Sequence, residues 1–508
     1  MKKFISKIII VCTAILFIGL YTGCSLLDQE PQGEWTIDDS PGGSFQTEVF
    51  SLYARLRGYN VTAGLPALAI HNFRSEDVEK GSLSGDAAHL TTMFENFEYI
   101  ASNSEIQGYW TSNYEIIHST NRVLSDISDV TNPAEGVLIN KGEAHFFRAF
   151  AYFNLVRAFG EVPLIDFKVE DAAEANIPKS TAAQIYQLID ADLIEATKLL
   201  PQTWESRFVG RLTWGAARSL HARTYMMRND WANMYAAANE VVTSGLYNLN
   251  TPFDRIFRET GENSSESVFE IQATATASLP ASDDIGSPFA RTQGVRGSGE
   301  WNLGWGFHTP TTILANAFEA GDPRKDETLL YFVRTGQDPM SIPANRPWNE
   351  RPIAMAEVTN AYYNKKAYTN PALRAQFNRE GFWMNIRMIR FSDVVLMAAE
   401  SANELGNTTV ARDLLEQVRA RARGTNTAVL PFRDTTDQAA LRDFIRHERR
   451  IELAMEWDRF YDLVRWGTAR QVLHAVGKTG FQDRHALLPL PQAEIDKSNG
   501  VLVQNPNY

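Results

Sequence analysis

The sequence predicts a mostly α-helical protein, with tetratricopeptide-like helix pairs as the scaffold and one large irregular, loop-rich insertion. Three observations predict it. Apolar residues recur at helical spacing over most of the chain. Several of these stretches come in pairs separated by two polar or small residues, with alanines where two helices would cross. Between about 246 and 388 the helical period weakens and Gly, Pro, Asn, Ser and aromatic residues take over.

In chain order, the first element is a leader. Lys2, Lys3 and Lys7 form a positive region, Ile8 to Leu20 an apolar core too short to span a bilayer, and Tyr21-Thr22-Gly23 places small residues before Cys24. This reads as a secretory signal over 1–23 ending in a lipoprotein box, with Cys24 as the lipidated first residue; a plain signal peptide or a signal anchor is the alternative. The only other cysteine, Cys12, lies in the leader, so the exported chain would hold no disulfide and no cysteine-based metal site. Helices are expected at 44–59, 105–128, 134–160 and 181–200, then as pairs at 213–228 with 230–244 and 391–406 with 409–423, and finally at 436–466. Ala222 marks the crossing in the first pair; Ala399, Ala402 and Ala411 mark it in the second. The expected organisation after the leader is an N-terminal helical part at 24–245, the insertion at 246–388 and a C-terminal helical part at 389–508. Within the insertion a strand is expected at Ser267–Ile271 and a helix at Thr311–Glu319. Long irregular segments on a rigid scaffold usually hold the working surface, so 246–388 and the loop near 71–104 are the places to look.

Composition narrows the function. Of 508 residues, 44% are hydrophobic, and 49 Lys plus Arg against 61 Asp plus Glu give a net charge of −12. That balance argues against general nucleic-acid binding, which needs a basic footprint. The nine histidines show no metal-binding spacing, and neither a GxSxG elbow nor a phosphate loop is present. No cofactor and no metal are expected.

The order of motifs resembles the SusD-like (RagB/SusD) outer-membrane lipoproteins of Bacteroidetes. The resemblance rests on Cys24-Ser25-Leu26-Leu27-Asp28; Tyr114-Glu115-Ile116-Ile117 with Asn121; Gly142 to Tyr152 running into Phe159-Gly160-Glu161-Val162-Pro163; Arg390-Phe391-Ser392-Asp393; Glu448-Arg449-Arg450-Ile451-Glu452-Leu453 with Asp462-Leu463-Val464-Arg465; and Leu488-Pro489-Leu490-Pro491 with the closing Asn505-Pro506-Asn507-Tyr508. It implies a non-enzymatic, cell-surface lipoprotein held to the outer membrane by lipid. Such proteins capture oligosaccharides and deliver them to a SusC-like TonB-dependent transporter, with the ligand site in the irregular insertion. The alternatives are a transporter-assembly or gating protein with non-sugar cargo, and a surface glycoside hydrolase.

Sugar capture needs a flat apolar platform for the pyranose face and polar groups for its hydroxyl rim. Trp301-Asn302-Leu303-Gly304-Trp305-Gly306-Phe307 supplies both, so Trp301, Asn302, Trp305 and Phe307 are the expected contacts; the bland alternative is that the tryptophans pack the insertion. Asp77, in Ser75-Glu76-Asp77, is an expected hydroxyl acceptor. Arg291, Arg296, Trp348, Tyr362, Tyr363 and Trp383 are weaker candidates. The charged run 448–465 is expected to be structural, with Arg449–Glu452, Glu456–Arg459 and Asp462–Arg465 pairing along one helix. Glu143 and Arg148 are expected to pair, buried, between helices.

Overall fold

The computed structural model describes residues 43–331 and 358–508. Its scaffold is built from α1 (Gln46–Leu56), α2 (Ser104–Ser128), α3 (Glu135–Phe159), α4 (Ala182–Leu199), α5 (Trp214–Met227), α6 (Trp231–Thr243), α7 (Phe391–Glu404), α8 (Thr408–Arg423), α9 (Gln438–Glu452) and α10 (Arg459–Arg465). Local chemistry starts these helices where the sequence places them. Asn103 accepts from the Ile106 amide at the head of α2, Thr181 and Gln184 form a reciprocal capping box on α4, and Asp437 accepts from Ala440 on α9. Gly160 ends α3 with φ 76°, a left-handed conformation that favours glycine.

Helix α3 is the centre of the N-terminal half. Every residue from Phe146 to Phe159 is buried, because α2 and α4 cover it from two sides. Its polar residues are matched rather than exposed. Arg148 makes a bidentate pair with Asp192 of α4, at 2.8 and 2.7 Å, and Glu143 receives Arg211 at 2.7 Å and the Tyr53 hydroxyl at 2.7 Å. The helix pairs α5–α6 and α7–α8 form, and Ala222, Ala237, Ala238, Ala399, Ala402 and Ala411 have no exposed surface, which lets the backbones close up. Because α6 also packs on α7, the scaffold runs on directly from one side of the insertion to the other.

A ribbon joins the early part of the 246–388 segment to its end. Strand Ser267–Ile271, found over the residues the sequence indicates, pairs antiparallel with Ile386–Arg390, from Ser267 opposite Arg390 to Ile271 opposite Ile386. The Thr311–Glu319 helix is present as Thr312–Ala317, capped by the Thr311 hydroxyl.

Two expectations in the C-terminal half are corrected. The stretch 436–466 is two helices, not one: Met455 takes φ 65°, which a right-handed helix does not contain, and buried Trp457 sets its edge against His71. The break redirects the charges. Of the three expected pairs only Asp462–Arg465 forms, at 2.7 Å. Arg449 instead reaches Asp393 at 2.8 Å, Glu452 reaches Arg324, Arg390 and Arg421, and Arg459 reaches Glu76. The run is structural, as expected, but it ties different elements together rather than decorating one helix face.

Candidate functional site

A short antiparallel ribbon brings the 71–104 loop to the insertion. Val78–Gly81 pairs with Phe307–Pro310, Val78 opposite Pro310 and Gly81 opposite Phe307. Past Gly81 the chain wraps around an ammonium group: Lys80 Nζ donates to the carbonyls of Gly81, Leu83 and Asp86 at 3.0, 3.0 and 2.7 Å. That wrap places Ser82 against the insertion, its amide donating to Gly306 O and its hydroxyl 2.6 Å from Trp305 O and 2.8 Å from Asp86 Oδ2. Asp86 in turn pairs with Arg296 at 2.9 Å. The Ser82 hydroxyl first, and then Arg296, hold the Asp86 carboxyl below the usual range.

The residues around Trp305 are fixed by two backbone runs lying side by side. Leu303 and Gly304 donate to Val295 O at 2.9 and 3.1 Å, and Trp305 donates to Arg291 O at 2.8 Å. The Trp305 ring is left half-buried, with the Arg291 guanidinium 4.5 Å from its centroid and Tyr59 edge-on at 6.3 Å. It lines a cleft of about 510 Å³. Arg296, Asn302, Gly304 and Trp305 form one wall; Arg374, Phe377, Asn378, Arg379 and Glu380 form the other, on the short helix Pro371–Gln376 and the turn after it. Arg379 spans the two walls by donating to Gly299 O at 2.8 Å.

The site residues proposed from sequence divide sharply. Trp305 and exposed Asn302 line the cleft together with Arg296. Trp301 does not: only 1% of it is exposed, and it stacks on Tyr368 in a small core with Val295, Leu303 and Leu330. Phe307 is buried in the ribbon beside Lys80. Asp77 is 2% exposed and its carboxylate is taken up by Arg450, at 3.1 and 3.0 Å from Nε, so it fastens the loop to α9 and is not an open acceptor. Tyr363 and Trp383 are buried, the latter donating to Glu259 at 2.9 Å. Cys24 and Trp348 lie outside the described residues. The second wall, 374–380, was missed as a set of contacts; its sequence signal is the polar turn Asn378-Arg379-Glu380-Gly381 inside the segment already marked as the working surface.

A larger cleft, about 630 Å³, lies between α2 and residues 494–502. Its aromatic residues Trp110 and Tyr114 are 3% and 8% exposed, so they present little ring surface to a ligand. The Trp305 cleft is the better candidate because its indole is accessible and its rim is polar. Among the described residues no group of three or more His, Cys, Asp or Glu is arranged to hold a metal.

Within the ribbon, His308 sits at φ 59° with Nδ1 2.6 Å from Gln293 Oε1, and burial pushes its imidazole down to about 3. His71, enclosed by Tyr109 and Tyr461, is also held well below the usual value by burial and by Arg157 and Arg74. Both are neutral in the fold and bind a proton once unfolded below about pH 6.5. Their contribution is complete above that pH and is lost as the pH falls toward the folded value. Thermal unfolding at pH 5 against pH 7 is expected to show a loss of about 2 kcal/mol from His308, with His71 acting in the same direction. His308→Asn, which tolerates the same φ, is expected to flatten that slope.

Two family models match the chain: "SusD family" over residues 265–508 and "Starch-binding associating with outer membrane" over 44–226. SusD-like protein P2 of Formosa agariphila is 27% identical over 98% of this chain and 99% of its own. A solved laminarin-binding SusD-like protein superposes with a TM-score of 0.74 at 26% identity, covering 91% of this chain and 98% of that one. Surface glycan-binding protein A from Bacteroides thetaiotaomicron, solved with laminarihexaose, superposes with a TM-score of 0.75 at 24% identity, covering 91% and 99%. The helix-pair scaffold, the motif order and the two models spanning nearly all of the described chain agree, and this chain belongs to the SusD-like (SusD/RagB) family.

Proposed function

We propose that this protein is a cell-surface glycan-binding lipoprotein that captures oligosaccharide in the Trp305 cleft and passes it to a SusC-like TonB-dependent transporter. The observation that carries the reading is the accessible Trp305 indole beside Asn302 and Arg296 on an open cleft. The ring offers a platform for the apolar face of a pyranose, and the amide and guanidinium groups reach its rim. The 26% identical laminarin-binding relative supports the ligand class. Binding without catalysis fits the lining, where Glu380 is the one carboxylate among the described residues, while glycoside hydrolysis ordinarily uses a pair. The leader and Cys24 support an outer-membrane lipid anchor.

The test is affinity electrophoresis of the mature chain through gels containing laminarin and other glycans. Trp305→Ala is expected to weaken binding roughly tenfold or more, since a covered aromatic ring is worth about 1.5–3 kcal/mol, with little change in thermal midpoint. Trp301→Ala is expected to do the reverse, lowering the midpoint because it empties a buried stack. Unchanged binding in Trp305→Ala would sink the assignment of this cleft. Co-purification of a TonB-dependent transporter with the tagged protein from outer membranes tests delivery.

A further inference from the structure

The Trp305 cleft is basic within an acidic protein. Among the described residues that line it, Arg296, Arg374 and Arg379 are arginines and Glu380 is the single acid, against −12 for the chain. The acid already has a cation: Arg291, behind the indole, lies 3.7 Å from Glu380. Arg296 is balanced by Asp86. Arg374 lies with its guanidinium 4.9 Å from the Tyr368 ring centroid and donates to Thr369 O at 2.9 Å. Arg379 differs from the rest. It is exposed, its Nη1 is oriented by Gly299 O at 2.8 Å, and among the described residues it has no carboxylate within salt-bridge distance. A guanidinium held by one backbone bond at the mouth of a cleft keeps most of its donors for a visitor, and its planar fork matches a carboxylate or a sulfate better than a hydroxyl.

Resting on the glycan reading above, we propose that the cleft takes an acidic glycan, one bearing uronate carboxylates or sulfate esters. A pyranose covers the Trp305 indole, and the anionic substituent of that sugar or its neighbour meets Arg379 with Arg374 beside it. The neutral rim groups Asn302 and Asn378 serve the remaining hydroxyls. The low salt-bridge saturation of Arg379 makes it the specificity residue; the other arginines hold the walls.

The experiment is isothermal titration of the full mature chain with charge-matched pairs. One pair is oligogalacturonate and its methyl ester, which share a backbone and differ in charge; the other is a sulfated galactan oligosaccharide and its desulfated form. Laminarihexaose serves as the neutral reference. At least one anionic member is expected to bind at least tenfold more tightly than its neutral partner, and which pair responds separates carboxylate from sulfate. Arg379→Gln, an exposed change, is expected to remove that preference, so that the two members of each pair bind alike. Raising sodium chloride from 50 to 500 mM is expected to erode the same preference. Trp305-dependent binding of laminarihexaose or of the neutral partners, with no preference for charge, overturns the acidic inference and leaves glycan capture standing. Failure of every glycan to bind overturns both. A charge preference that survives Arg379→Gln overturns the assignment of Arg379.

Discussion

Replacing Glu452 by alanine is expected to lower the free energy of unfolding by about 3–5 kcal/mol. The carboxylate has no exposed surface and stands among three guanidinium groups: Arg390 at 2.8 Å, Arg324 at 3.0 Å, and Arg421. Burial alone would push such a carboxyl up, but Arg421, Arg390 and Arg324 reverse that and hold it well below the usual range. The partners come from different parts of the chain. Arg324 belongs to the insertion, Arg390 ends the ribbon strand, Arg421 lies on α8 and Glu452 ends α9. Removing the one acid that all three share leaves Arg324 with Asp322 and Glu448, Arg390 with Glu266 and Glu456, and Arg421 with Glu266 alone, so each buried guanidinium loses a partner that nothing replaces. Denaturant unfolding followed by circular dichroism measures the effect; a loss below about 1 kcal/mol would show that the cluster behaves like a solvated surface network. Replacing Arg390 and Glu452 together by apolar residues of similar volume is expected to cost less than either single change, because it removes the buried charge along with its partner.

Gly304→Ala is the second large effect, and it falls on binding. A β-carbon at this position would stand 2.2 Å from Arg291 O and 2.8 Å from the Gly294 α-carbon. Both obstacles are backbone, so the two runs 291–295 and 303–305 must separate. The bonds from Gly304 to Val295 and from Trp305 to Arg291 are then lost, and with them the position of the indole. Overpacking of this kind costs about 1–3 kcal/mol. The glycan affinity is expected to fall as far as in Trp305→Ala, although no side chain that meets the ligand has been changed. Binding at the original affinity would show that the ring finds its place without this backbone contact. Helical content should be unaffected, since α1 to α10 take no part in the contact.

The contrast between the two tryptophans shows what the sequence could convey. Scaffold helices were legible because burial on a helix leaves a 3.6-residue period. The left-handed turn at Met455 that makes 436–466 two helices was not, since the residues on either side keep the helical period. Trp301 and Trp305 stand in one short Gly-rich run with equal claim to be a platform. Only the pairing of 303–305 with 291–295 sends one ring inward onto Tyr368 and leaves the other at the cleft. Asp77 shows the same limit from the other side: its partner Arg450 is 373 residues away, and no local pattern announces a contact of that range. The opposite wall of the cleft was inside the segment expected to hold the site, but its individual contacts depend on how a loop returns, which periodicity does not encode.

The ribbon formed by Ser267–Ile271 and Ile386–Arg390 has a consequence for how such proteins diversify. Because the two strands are hydrogen-bonded neighbours, the chain leaves the helical body and comes back at almost the same point. The stretch between them is topologically a loop with fixed ends, and its exposed parts can lengthen, shorten or be exchanged while the helices keep their packing, provided that Arg324 and the Phe307–Pro310 strand, which meet α9 and Val78–Gly81, are retained. The α6–α7 contact already closes the body without it. Evolution can therefore rewrite the recognition surface as a cassette, and a protein engineer can splice a relative's cassette at Ile271 and Ile386 to transplant its preference onto this framework.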